Sequence, residues 1–108
     1  MDLNKLRDES FNVAKDKGWH DVDVSVGDRL CLMHSEISEA LEEYRAGHQP
    51  NEIYFHGEKP EGVAIELVDV LIRILDFAGK YNIDIQKAYE IKTEFNKTRP
   101  YRHGGKKL

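Results

Sequence analysis

Residues 63–79, VAIELVDVLIRILDFAG, limit what this chain can fold into more than any other stretch. Wound as a helix at ~100° per residue, the four polar side chains Glu66, Asp69, Arg73 and Asp76 fall within an arc of about 80°. Every other position is apolar or glycine. A helix that is apolar around most of its circumference is normally buried. Desolvating an isolated carboxylate is costly, so a charged stripe on such a helix calls for cations, water or both beside it. The stripe is the first sign of a site.

The rest of the chain supplies helices to pack around this one. Leu3, Leu6, Val13 and Ala14 share a helical face, and Lys17-Gly18 supplies a stop. Ser25 with Asp28 resembles a capping box, Gly47 is a stop, and Val26, Leu30, Met33, Ile37, Leu41 and Tyr44 form a core stripe between them. Pro60 suits the first turn of the third helix, and Gly79 lies near its end. Asp84 can cap a fourth helix that Arg99-Pro100 stops. The expected fold is therefore all-α, a four-helix bundle-like protomer with helices at about 3–17, 26–46, 61–79 and 84–98. Residues 18–24 read as a loop, and 47–60 as a connection without period, able to shape a mouth or lid. One domain spans 1–108, with a basic, flexible tail over about 100–108. A chain of 108 residues is near the size where a single core is marginal, so oligomerisation would help it.

Several function classes are disfavoured. Cys31 is the only cysteine, so no intrachain disulfide can form and a cytoplasmic location is the simplest expectation. The opening MDLNKLRDES is too charged for a signal peptide, and charge interrupts 63–79 too often for a bilayer span. No helix-turn-helix pattern is present, and a net charge of −4 argues against nucleic acid as a partner.

Charge is unevenly distributed. Four Glu lie between Glu36 and Glu43, while Lys92 to Leu108 holds six Lys or Arg and one acid. Two acidic pairs recur at i, i+3 spacing, Glu36/Glu39 on the second helix and Glu66/Asp69 on the third. Residues three apart are neighbours on a helix, so each pair can hold one hard cation. Carboxylates without His or Cys favour Mg²⁺, with Mn²⁺ as substitute, over Zn²⁺. On the fourth helix Lys92 and Asn96 project near the middle of the apolar face of Ile85, Ala88, Tyr89 and Phe95. Inward cations there suit a bundle whose neighbour carries carboxylates. With Arg99 and the tail, Lys106 included, they would neutralise the phosphates of a polyanionic substrate. Trp19, His20 and Tyr44 are candidate contacts for an aromatic group such as a base. Arg73 and Asp76 read as structural ion-pairing residues.

The order E36-x-x-E39, E66-x-x-D69 within ELVDVLIRILDFA, K92-x-x-x-N96-x-x-R99 and a closing RPYRHGGK resembles the MazG-like nucleotide pyrophosphohydrolases of the all-α NTP pyrophosphatase superfamily. The resemblance covers about residues 26–108. It implies a homodimer or homotetramer that hydrolyses a nucleoside triphosphate to monophosphate and pyrophosphate. It also implies metal ligation by Glu36, Glu39, Glu66 and Asp69 and phosphate contacts from Lys92 and Asn96. Many members have a second Glu before the first motif Glu, where this chain has Ser35. The water-activating role then falls to Glu39 or Glu36. Phosphoribosyl-ATP pyrophosphohydrolase is an alternative on similar acidic pairs, and a non-catalytic helical interaction module with a structural metal site is another.

Overall fold

Each helix begins and ends on chemistry written locally in the chain. A computed structural model describes residues 2–101, with four helices and one short hairpin: α1 (Leu3–Asp16), α2 (Val26–Arg45), β1 (Tyr54–His56), β2 (Lys59–Glu61), α3 (Val63–Lys80) and α4 (Ile85–Lys97). The side chains of Asp2, Ser25 and Asp84 accept from backbone N–H groups at the starts of α1, α2 and α4. Each such cap satisfies an amide that the start of a helix leaves without an intrahelical partner. Gly18 and Gly47, at positive φ, close α1 and α2 in Schellman turns. There the amides of Trp19 and His48 reach back to the carbonyls of Ala14 and Glu43.

The third helix departs from expectation at both ends. Pro60 lies in β2, paired with Phe55 at a sheet edge where its missing N–H is tolerated, and α3 starts at Val63. Asn82, at φ 54°, makes the left-handed turn that ends α3, with Ile83 N–H bonded to Ala78 C=O at 2.8 Å. Gly79 is inside the helix and serves packing: a Cβ there would lie 2.5 Å from Cβ of Phe11 on α1.

The hairpin was not foreseen within the 47–60 connection. Its strands pair antiparallel, Tyr54 with Glu61 and His56 with Lys59, around the two-residue Gly57-Glu58 loop. The Tyr54 hydroxyl donates to Glu43 at 2.7 Å and its ring stacks on His48, which fixes the hairpin to the end of α2. That hydrogen bond holds the Tyr54 hydroxyl up at about 12.

α3 is the centre of the protomer, flanked by α1 on one side and α2 on the other, while α4 packs mainly against α1. The α4 contact is made by its beginning: Gln86 accepts from the Leu3 amide, Asn4 bonds Asp84, and Arg7 donates to Ile83 C=O. The core is small. Ala14, Ala40, Val63, Leu75 and Ala78 are buried, and among the described residues no large side chain is fully so.

The α2 stripe faces the other way from expectation. Leu30, Ile37, Leu41 and Tyr44 are exposed, whereas Ala40 is buried and Glu36 nearly so. α2 turns its Glu36/Ala40 edge to α3 and its apolar stripe outward. Likewise Leu67, Val68, Leu71 and Ile74 of α3 and Tyr89, Ile91 and Phe95 of α4 are exposed. Lys92 and Asn96 are thus not directed into the protomer, because α4 leaves its apolar face uncovered. No helix among the described residues is long and apolar enough to cross a membrane.

Candidate functional site

The carboxylates meet where α2 lies on α3. Two i, i+3 pairs, one on each helix, face one another because α2 presents its acidic flank to α3. Glu36, Glu39 and Glu66 each offer an oxygen within 4.8 Å of the others, and Asp69 stands one turn beyond Glu66. The start of α3 places Glu66 in its first turn, after Gly62. Gly62 has φ 126°, and a Cβ there would meet the Glu52 carbonyl at 2.5 Å, so only glycine lets the hairpin feed α3 in this direction.

The electrostatics follow from crowding. Burial, then the charges of Asp69 and Glu39, a hydrogen bond with Glu39 and the charge of Glu36 push the Glu66 carboxyl up to about 7. Burial and Glu36 raise Asp69, opposed by a hydrogen bond with Glu66 and by the cations Arg73 and Lys59. Oε2 of Glu66 is buried and has no hydrogen-bond partner among the described residues. An oxygen-only donor set with a buried, unpartnered carboxylate oxygen fits a hard divalent cation of the Mg²⁺ or Mn²⁺ type.

Two cations border the cluster. Arg73 Nε donates to Glu36 Oε1 at 2.7 Å, which agrees with the ion-pairing role read for Arg73 and makes its partner a candidate metal ligand. Asp76, one turn on, accepts from buried His20, Nε2 to Oδ1 2.7 Å. His20 is thereby committed to the interior, its ring against Phe11, and does not reach outward for a base. Lys59, brought by the hairpin, acts on Asp69. Nothing in the sequence reading singled out Lys59; the signal that would have found it is the Gly57-Glu58 hairpin loop between Tyr54 and Glu61.

Trp19 is held beside the acidic cluster. The Schellman turn after α1 sets its backbone, and its half-exposed ring lines a 220 Å³ cavity with Glu36, Asp69, Ile72 and Arg73. The same ring and Ile72 also wall a 320 Å³ apolar cavity between α1 and α3, lined further by Leu6, Val13, Leu71 and Leu75. Tyr44 is exposed on the outward face of α2 and lines neither cavity.

Lys92, Asn96 and Arg99 come together in a separate 370 Å³ cavity with Pro100. Lys92 lies over the Phe95 ring, Nζ 5.2 Å from its centroid. No acidic partner pairs with Lys92 or Arg99 among the described residues, and neither borders the acidic cavity. Lys106 is outside the described residues. The acidic cluster and the group of Lys92, Asn96 and Arg99 therefore border different cavities. Compared with protein-family models, with curated proteins and with solved structures, the chain matches none of them.

Proposed function

We propose that the protein is a Mg²⁺-dependent nucleotide pyrophosphohydrolase that converts a nucleoside triphosphate to monophosphate and pyrophosphate and serves nucleotide-pool sanitising or control. The observation that carries this reading is the buried Glu66 oxygen, unpartnered among the described residues, within a cluster of three carboxylates, Glu36, Glu39 and Glu66, on two facing helices. Such a cluster is over-negative by itself and is relieved by a divalent cation together with a ligand that brings further oxygens. The motif order that resembles MazG-like enzymes supplies the substrate class, and Mn²⁺ is the expected substitute metal.

In this reading Glu36, Glu39, Glu66 and Asp69 hold the metal. The bound cation supplies positive charge for phosphate oxygens and acidifies water. Glu36 is tied by Arg73, so Glu39, which forms no ion pair among the described residues, takes the proton from the attacking water. The new bond joins the water oxygen to the α-phosphorus, the α–β anhydride bond breaks, and the electron pair leaves with pyrophosphate. Lys92, Asn96 and Arg99 bind the phosphates whose charge grows as that bond breaks. Trp19 offers its face to the base. The outward apolar faces are covered in a homo-oligomer, and the site is cytoplasmic.

Thermal shift tests the reading. Mg²⁺ and a non-hydrolysable nucleoside triphosphate should stabilise the protein together by more than the sum of their separate shifts. Shifts that merely add, or no shift, would favour a helical interaction module, to which the exposed apolar faces also lend themselves.

A further inference from the structure

We infer that Lys59, on the hairpin, is a substrate-contacting residue of the acidic site, its ammonium group binding a phosphate oxygen of the triphosphate chain. The inference rests on the hydrolase reading above and adds to it a cation on the acidic side of the protomer.

The hairpin turns one face to the acidic flank of α2. Paired residues of an antiparallel ladder share a face, so Tyr54, His56, Lys59 and Glu61 project together, and Phe55 and Pro60 project the other way. Tyr54 settles where the first face looks, because its hydroxyl bonds Glu43 and its ring stacks on His48 at the end of α2. Glu43 follows Glu36 and Glu39 at helical spacing along one side of that helix. β2 also packs on α3 and leads through Gly62 into the turn that carries Glu66. Lys59 is therefore presented at the joint of the two helices that hold the carboxylates, and its charge reaches Asp69.

The mount is rigid, whereas the ammonium is free to turn. Gly62 at φ 126° and the Tyr54–Glu43 bond fix the strands. The Lys59 side chain is 76% exposed, and its Nζ stands 3.4 Å from Oε1 of Glu61, whose other oxygen pairs with His56 Nδ1 at 2.9 Å. An ion pair so exposed holds its lysine weakly. The four-carbon stem can carry the ammonium from Glu61 to a phosphate, which has more negative charge and several acceptor oxygens. Arg73, the other cation acting on Asp69, is less free, because its Nε is bonded to Glu36 at 2.7 Å. A positive charge at this place opposes a divalent cation that binds alone and favours the same cation once it arrives with phosphates. Lys59 donates hydrogen bonds without giving up its proton and offsets the charge that builds on the leaving pyrophosphate.

Pyrophosphate release by Lys59→Ala and Lys59→Arg, with a nucleoside triphosphate that the wild type turns over, tests this. The side chain is exposed, so both variants should melt within a few degrees of the wild type. Lys59→Ala should lower kcat/KM by about tenfold or more, and Lys59→Arg should return it to within about threefold of wild type. Mn²⁺ binding without nucleotide, read by electron paramagnetic resonance, should tighten by about twofold in Lys59→Ala at low salt. A lysine that merely braces the hairpin would weaken turnover and metal binding together. An unchanged kcat/KM in Lys59→Ala, beside an active wild type, overturns the inference and leaves the hydrolase reading standing. A loss that Lys59→Arg shares overturns it as well, as does one accompanied by weaker Mn²⁺ binding or a collapse in melting temperature. A wild type that releases no pyrophosphate removes the hydrolase reading and this inference with it.

Discussion

Arg73 Nε donates to Glu36 Oε1 across the α2–α3 contact at 2.7 Å, joining the helix that carries one acidic pair to the helix that carries the other. The guanidinium fixes the orientation of Glu36 and offsets part of the cluster's charge without filling it. Groups that orient a metal ligand commonly influence rate by tenfold or more. Arg73→Ala should therefore lower kcat by about tenfold. The Mg²⁺ concentration for half-maximal rate should not rise, because a competing positive charge is gone. A magnesium titration of the variant's turnover checks both.

The metal-free protein should lose stability as pH rises. The Glu66 carboxyl titrates at about 7 in the fold against 4.5 in its ordinary state, so between those values the folded chain keeps a proton that the unfolded chain has released. The folded state then binds more protons, stability falls with pH through that window, and it levels off above. Asp69, also raised, adds in the same direction. Melting temperatures in chelator should drop from about pH 5 to about pH 7.5, and Glu66→Gln should remove most of the drop. Added Mg²⁺ should recover the loss at the upper end in wild type and less so in the variant.

His20 and Asp76 form a pair of structural weight. Both side chains are largely buried, and removing one leaves the other desolvated beside the α1–α3 packing. His20→Ala should cost about 3 kcal/mol, read by urea denaturation. A change close to zero would mean the pair adds nothing to the fold.

Gly79 is a contact point between α1 and α3, not a helix stop. A methyl at that position meets the Phe11 side chain at its root, which has little freedom to move aside. Gly79→Ala should destabilise by about 2 kcal/mol despite the higher helix propensity of alanine, again by urea denaturation.

Periodicity and capping residues made the helices legible to within a few residues, because Ser25, Gly18, Gly47 and Asp84 act through bonds to their own neighbours. The acidic pairs were legible for the same reason: three residues apart is a local relationship. What a helical wheel does not carry is which face meets which neighbour. The stripe of Leu30, Ile37, Leu41 and Tyr44 was read as core and is exposed, while its acidic flank lies against α3. Lys92 was read as inward for the same reason, and its true surroundings depend on how α4 leaves α3 at Asn82. The pairing of His20 with Asp76 spans 56 residues and left no local trace. Lys59 became a neighbour of Asp69 only through a three-residue strand pair too short to stand out in the sequence.

The central claim is tested most directly by pyrophosphate release. Wild-type protein and Glu66→Gln are incubated, with Mg²⁺ and with chelator, against a panel of natural and modified nucleoside and deoxynucleoside triphosphates that includes phosphoribosyl-ATP. At least one substrate should yield monophosphate and pyrophosphate in equal amounts with wild type and Mg²⁺, and the rate should fall at least about a hundredfold in Glu66→Gln or in chelator. No pyrophosphate from any member of the panel, or equal release from Glu66→Gln, would contradict it.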